Sequence, residues 1–453
     1  GMNDYRAFVQ HKSQMAGTFG FKPKFQHPDA YDFQSHLVDW AVQQGRGAIF
    51  ADCGLGKTLM QMTWAHNVNL ETNKPVLIIA PLMVSLQTTE EAEKFGFDAE
   101  RSLDGTFKNR NAIVTTNYER LQHFDPDHFG GVVCDESSIM KNFDGSRKSE
   151  ITEFMRNCRY RLLCSATPSP NDYIELGTSS EALGQLGYMD MLSMFFKNDE
   201  DSLHPMSMGS QWRFKTHAQR DFWRWVCSWA RATRKPSDLG FADRDFVLPS
   251  LIEREHVVRS GVRDGDLFAM PASNLSEERE ERRATIRDRC ERAAELANAH
   301  DTSVSWCHLN AEADLLVEMI DGAEQISGAD KDERKEELFN AFRHGELKRL
   351  VTKPKIAAYG LNWQHCNHMT FFADHSFEQY YQAVRRLWRF GQKRDVTVDM
   401  ITTQSLMGVT KNLRRKTEAS EEMFRVMVEQ MHDALQLKRF HEHTSNQEIP
   451  SWL

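Results

Sequence analysis

Short apolar runs and longer stretches of helical periodicity alternate along this chain. In the first half, residues 47–50, 76–80, 112–115, 131–134 and 160–164 read as strands that are apolar nearly throughout. Residues 303–307, 347–352, 369–373 and 396–401 read the same way in the second half. Helical spacing lies between them, at 33–42 and 59–68, then at 275–300, 311–320, 330–342 and 377–390. The long helix 275–300 has Ser276 as its expected cap, with Glu277 and Glu278 suited to the first turn. Strands without a polar face that alternate with helices predict parallel sheets covered on both sides, an α/β fold. The functional residues of such sheets gather beyond the carboxyl ends of the strands.

The alternation fails between residues 183 and 246, a stretch rich in Met, Trp and Phe. Phe222, Trp225, Val226 and Trp229 recur at helical spacing, while Arg220, Arg224 and Arg231 take other positions. The aromatic stripe reads as core packing in preference to a base-stacking platform. The arginines read as a solvated face, with a DNA-backbone contact as the other reading. The expected division is a polar extension (1–30), a first α/β domain (31–182), a helical insertion (183–246), a second α/β domain (247–405) and a charged helical tail (406–453).

Composition narrows the class. A chain of 453 residues, 40% of them hydrophobic, can fill two or three cores. No apolar run approaches the length of a membrane span and no signal peptide is evident, so no membrane partner is expected. Eight cysteines without a C-x-x-C pair argue against a zinc site or a disulfide framework, and for a reducing cytoplasm. His365, Cys366 and His368 lie close together but lack a fourth metal ligand at sensible spacing. The net charge of −9 does not advertise nucleic-acid binding, although local basic patches are compatible with it.

Candidate chemistry begins at Ala51-Asp-Cys-Gly-Leu-Gly-Lys-Thr58, which follows a strand and opens a helix. That is the context a phosphate-binding loop requires. Gly54 and Gly56, with Leu55 between them, let the backbone turn its N–H groups onto a phosphate chain. The helix N-terminus adds partial positive charge. Lys57 is placed to reach the β- and γ-phosphates, and the Thr58 hydroxyl to ligate Mg²⁺. The pattern's usual first glycine is Ala51 here. Downstream, the strand 131–134 delivers Asp135 and Glu136. Asp135 suits a Mg²⁺ held through water, and Glu136 suits polarising the attacking water. Near the end of the second half, Arg386 and Arg389 stand three apart in a helical pattern, so they share a face. Paired arginines of this kind can neutralise charge on a transferring phosphoryl group.

In their order along the chain, these segments resemble the superfamily 2 helicases and translocases, most closely the Swi/Snf-type branch in a compact form such as phages encode. Gln34 matches the family's adenine-reading glutamine, 51–58 motif I, Ala80-Pro81-Leu82 motif Ia, and Thr115 to Glu119 the segment after it. Asp135-Glu136-Ser137-Ser138 with Lys141-Asn142 matches motif II, and Ser165-Ala166-Thr167-Pro168 motif III. Thr352 through Gly360-Leu361-Asn362 resembles motif V, and Gln382 to Gln392 motif VI. Ser138 stands where the family usually has His, and Arg385 where it usually has Gly.

The resemblance implies two tandem RecA-like (P-loop NTPase) parallel-sheet domains, with ATP in the cleft and the helical insertion between them. It implies an ATP hydrolase acting with Mg²⁺ as a motor on duplex or branched DNA. Lys57, Asp135, Glu136, Gln382, Arg386 and Arg389 would be catalytic; Gln34, the phosphate loop, Gly360 and Asn362 would hold the nucleotide. Ser165 and Thr167 would couple nucleotide state to grip on DNA, and Lys141, Lys393 and Arg394 would touch the backbone. A monomer is expected. An RNA-dependent ATPase of the same superfamily and an ATP-gated DNA-binding scaffold remain as alternatives.

Overall fold

The computed structural model describes residues 19–108, 113–166, 173–198, 212–259, 272, 274–357 and 361–445, with the backbone alone at 141–142 and 437–445. Two compact units emerge. One takes in the chain as far as Asp243 together with the residues from Ser420 onward, and the other spans Arg244–Ala419.

The first unit holds β1 (Arg46–Ala51), β2 (Val76–Ala80), β3 (Ala99–Arg101), β4 (Ile113–Asn117), β5 (Gly131–Cys134) and β6 (Tyr160–Ser165). A short antiparallel pair follows, β7 (Phe196–Asn198) with β8 (Trp212–Phe214), and then β9 (Ala230–Thr233). The sheet order is β3-β4-β2-β5-β6-β1-β9, and every pairing in it is parallel. Every residue of β2, β4, β5 and β6 is buried, as strands covered on both faces must be.

In the second unit, β10 (Leu251–Val258), β11 (Ser303–Trp306), β12 (Glu324–Gln325), β13 (Arg349–Thr352), β14 (His368–Phe372) and β15 (Val396–Thr403) form another all-parallel sheet. Its order is β10-β15-β14-β11-β13-β12. The α/β architecture with two parallel sheets therefore stands as the residue pattern predicts.

Three expectations need correction. The stretch 183–246 is not a helical insertion standing apart from the sheets. Its helix Gln219–Cys227 leads straight into β9, which pairs with β1, Ala48 opposite Ala230 and Ala51 opposite Thr233. The aromatic stripe is core: Phe222, Trp223, Trp225, Val226 and Trp229 are all buried. The expected single helix 275–300 is two, Leu275–Ala284 and Ile286–Asn298. Thr285 breaks it: its backbone leaves the helical region at φ −106°, and its hydroxyl donates back to Glu281 O at 2.7 Å. The cap is Asn274, whose side chain accepts from Glu277 N, and not Ser276. The tail is a helix. The helix Met407–Ser445 carries Phe424, Met427, Val428 and Met431 into the same apolar core as Trp223 and Trp225. No described helix is long and apolar enough to cross a membrane.

Candidate active site

In the first unit, the loop after β1 turns on two glycines. Gly54 and Gly56 both take φ of +85°, where a side chain is strained, and Gly56 is the residue that starts the helix Lys57–Thr72. A Cβ on Gly56 would stand 2.1 Å from Gln34 Nε2. That close approach has a purpose: Gln34 Nε2 donates to Leu55 O at 2.8 Å, and Gln34 Oε1 accepts from Tyr31 N at 2.9 Å. Gln34 thus ties the turn at Tyr31 to the loop at Leu55. Leu55 itself points its side chain into the core and offers the cradle only backbone. Lys57 Nζ lies over the loop, donating to Ala51 O at 2.8 Å and Asp52 O at 3.3 Å. Thr58 is half-buried in the first helical turn.

β5 ends in the acidic pair. Asp135 N donates to Ile79 O at 2.8 Å, so the strand pairing with β2 holds the backbone to its last residue. Tyr118 Oη donates to Asp135 O at 2.8 Å, and Asp135 Oδ1 accepts Glu136 N at 2.9 Å. Glu136 adopts φ 50° and ψ 48°, the left-handed region that a glutamate rarely occupies. Both carboxyl groups are buried. Burial first, and then the charge of Glu136, raises the Asp135 carboxyl above its ordinary range; the Gln61 amide and the Lys57 ammonium pull it back. Glu136 Oε2 is buried with no hydrogen-bond partner. Two buried acids with an orphaned oxygen, beside a lysine and a helix N-terminus, are a donor set that a hard divalent cation such as Mg²⁺ fits. Ser165, the last residue of β6 and buried, pairs with Phe50 of β1.

Two residues of this cluster lack a role in the sequence reading. Gln61 follows Lys57 by four positions, so the helix puts both on one face, and that spacing was the available signal. Tyr118 carried no chemical pattern of its own; only the return of the chain beside β5 makes it a support.

In the second unit, the helix Phe377–Leu387 ends before Arg389. The two arginines therefore do not share a helical face, which corrects the reading from spacing, yet both converge on one atom. Arg386 Nη1 donates to Leu361 O at 3.1 Å, and Arg389 Nη1 to the same oxygen at 2.9 Å. Arg386 is fully buried, with Nε on Gln382 O at 2.9 Å and Nη2 on Gln382 Oε1 at 3.1 Å. Gln382 is buried too. Asn362, half-buried, follows the shared carbonyl. Arg385, in place of the family's glycine, is buried with its guanidinium 5.0 Å from the Trp388 ring. Lys393 and Arg394 are exposed in the turn before β15. Thr167, Gly360 and the side chain of Lys141 lie outside the described residues.

The cysteines make no disulfide, and all eight are buried. Among the described residues no group of three or more His, Cys, Asp and Glu is placed to hold a metal ion. His368 is engaged by Ser303 Oγ at 2.7 Å and by Asp399 Oδ2 at 2.7 Å.

Comparison with known proteins finds two matching family models. Residues 33–181 match the SNF2-related domain, and residues 296–391 match the helicase conserved C-terminal domain. The chromatin-remodeling ATPase INO80 of Arabidopsis thaliana is 29% identical over 176 residues, which cover 32% of this chain. The match spans only 11% of that protein's length. Among solved structures, S. cerevisiae Dbp5 bound to RNA and ADP BeF3 aligns at 12% identity, covering 87% of this chain and 93% of its own, with a TM-score of 0.51. A point variant of Dbp5 in the same complex covers 90% and 100%, at 12% identity and a TM-score of 0.54. The Sulfolobus solfataricus SWI2/SNF2 ATPase core in complex with dsDNA aligns over 89% of this chain and 98% of its own, at 17% identity and a TM-score of 0.43. The Dbp5 likeness is one of fold: two tandem RecA-like domains. With a phosphate loop in the segment that matches the SNF2-related domain, and a helicase C-terminal domain after it, the chain belongs to the Snf2-type branch of the superfamily 2 helicases and is an ATP hydrolase.

Proposed function

We propose that this protein couples ATP hydrolysis to movement along DNA, duplex or branched. The observation that supports this most directly is the cluster of Lys57, Gln61, Asp135 and Glu136, with one carboxylate oxygen left unpartnered in a buried site. Lys57 holds the β- and γ-phosphates; Thr58 and Asp135 would hold Mg²⁺, which when bound would offset phosphate charge. Glu136 polarises the attacking water. Arg389 neutralises charge on the transferring phosphoryl group, and Arg386, locked to Gln382 and Leu361, positions that segment. Gln34 and Asn362 contact the nucleotide; Ser165 and Thr167 pass its state to the DNA grip. Lys141 and Lys393 touch the DNA backbone.

The test is ATP turnover measured without nucleic acid and then with duplex DNA, single-stranded DNA and RNA. Stimulation greatest with duplex DNA, and falling as salt rises, is the expected result. Stimulation by RNA alone would assign the protein to RNA. A protein that binds ATP yet never turns it over would be a scaffold instead.

A further inference from the structure

A pocket of about 540 Å³ opens on the second unit, walled by the four turns that lead into β11, β13, β14 and β15. These strands are neighbours in the sheet, and the pocket lies across their amino ends. Nucleotide chemistry on parallel sheets uses the opposite, carboxyl ends. Arg343 ends the helix Asp332–Arg343, Lys348 comes from the turn between it and β13, His365 from the turn before β14, and Arg394 from the turn before β15. Asp301, before β11, is the one carboxylate of the lining; it is 87% exposed and 3.9 Å from Lys348 Nζ. Three permanent cations thus face a single acid, in a chain whose net charge is −9.

The walls are fixed in place. Arg394 Nη2 donates to His365 O at 2.7 Å, and Asn367 Nδ2 to Asp395 O at 3.0 Å. His300 lies flat on the buried His368, ring centroids 3.6 Å apart. His365 packs edge-on against Phe342, and its Nε2 is buried with no hydrogen-bond partner. Burial pushes the His365 ring down to about 4 against the pull of the Phe342 carbonyl, and Arg394, Lys348 and Arg343 all push the same way as burial. Three cations thus line one concave surface, which is how such a site attracts an anion.

We propose that this pocket binds a phosphate group, carried either by a small phosphorylated molecule or by a nucleic-acid backbone. Arginine and lysine supply the charge-assisted donors that phosphate oxygens accept, and the volume is that of small-molecule sites. The wall is continuous with the motif VI segment: Gln392 Nε2 donates to both Cys366 O and Leu387 O, two residues before Arg394. An occupant would stiffen the turn that follows Arg386 and Arg389.

The test uses the full chain carrying Lys57→Ala, so that the phosphate loop competes less, and reads binding by calorimetry. One sample is titrated with inorganic pyrophosphate and another with short duplex DNA. Lys348→Glu and Arg343→Glu are each expected to weaken binding by ~10-fold or more, and Lys348→Arg to preserve it. Loss confined to pyrophosphate names a small molecule as the source; loss confined to the duplex names the backbone. Lys348 is 55% exposed, so its replacement leaves the fold intact, and unchanged melting confirms this. Affinity for both ligands unchanged in both glutamate variants would overturn the site. Because the readout is binding and not turnover, the motor reading can fail or stand independently.

Discussion

Replacing Lys57 by alanine removes the ammonium that the loop holds over Ala51 and Asp52, and ATP affinity should fall with it. Glu136→Gln keeps the shape of the side chain but not its basicity, so ATP should bind nearly as before while turnover drops ~10²-fold or more. Equal loss of binding in both variants would contradict the division of labour. The two arginines should also separate. Arg389→Ala is expected to cut turnover ~10³-fold or more with little change in melting. Arg386→Ala should lower stability as well, by about 1–3 kcal/mol, because it leaves the buried Gln382 side chain and the carbonyls around it short of donors. Steady-state kinetics beside urea unfolding measures both effects, and near wild-type hydrolysis by Arg389→Ala would remove it from the chemistry. Lys57, Asp135 and Glu136 were legible because strand, turn and helix carry their own local signals. The burial of Arg386 was not, since a charge pattern along a helix says nothing about what another loop places against it.

At the scale of elements, the strands were read within a residue or two wherever they were apolar throughout. β9 escaped because Ala230-Arg-Ala-Thr233 has no apolar run, and the helical stripe before it extends to Trp229. Tertiary pairing with β1, not local preference, makes it a strand. The C-terminal helix was seen as a helix, but its charge concealed a face formed by Phe424, Met427, Val428 and Met431. Cys227 Sγ lies 3.5 Å from Met431 O, and Tyr173 Oη donates to Met423 O at 3.3 Å. Met427→Ala or Met431→Ala should each cost the first unit about 2–5 kcal/mol, as large-to-small changes in packed cores do. Thermal melting reads this, and wild-type melting in the double variant would show that the helix is dispensable there.

For the whole molecule, the question is whether the proposed motor would separate strands. The ribbon β7–β8 lies in the stretch expected to be helical, and an antiparallel pair is what a strand-splitting pin is made from. Its described part faces inward, however: Phe196 stacks on Phe214 at 4.7 Å, and both rings meet Phe222. Translocation on duplex DNA with weak unwinding is therefore the expected behaviour. Displacement of a third strand from a DNA triplex, run beside unwinding of a forked duplex, decides it; robust fork unwinding without triplex displacement would reverse the expectation. The return of the C-terminal helix has one further consequence, for how the protein is made. The core around Trp223 and Trp225 is closed by residues beyond 420, and the whole second unit lies between them in the chain. On a ribosome adding about 5–20 residues per second, the first unit waits roughly 10–35 s with that aromatic face uncovered before its last piece is synthesised. Nascent chains should therefore be most prone to aggregation, and most in need of a holding chaperone, in that interval.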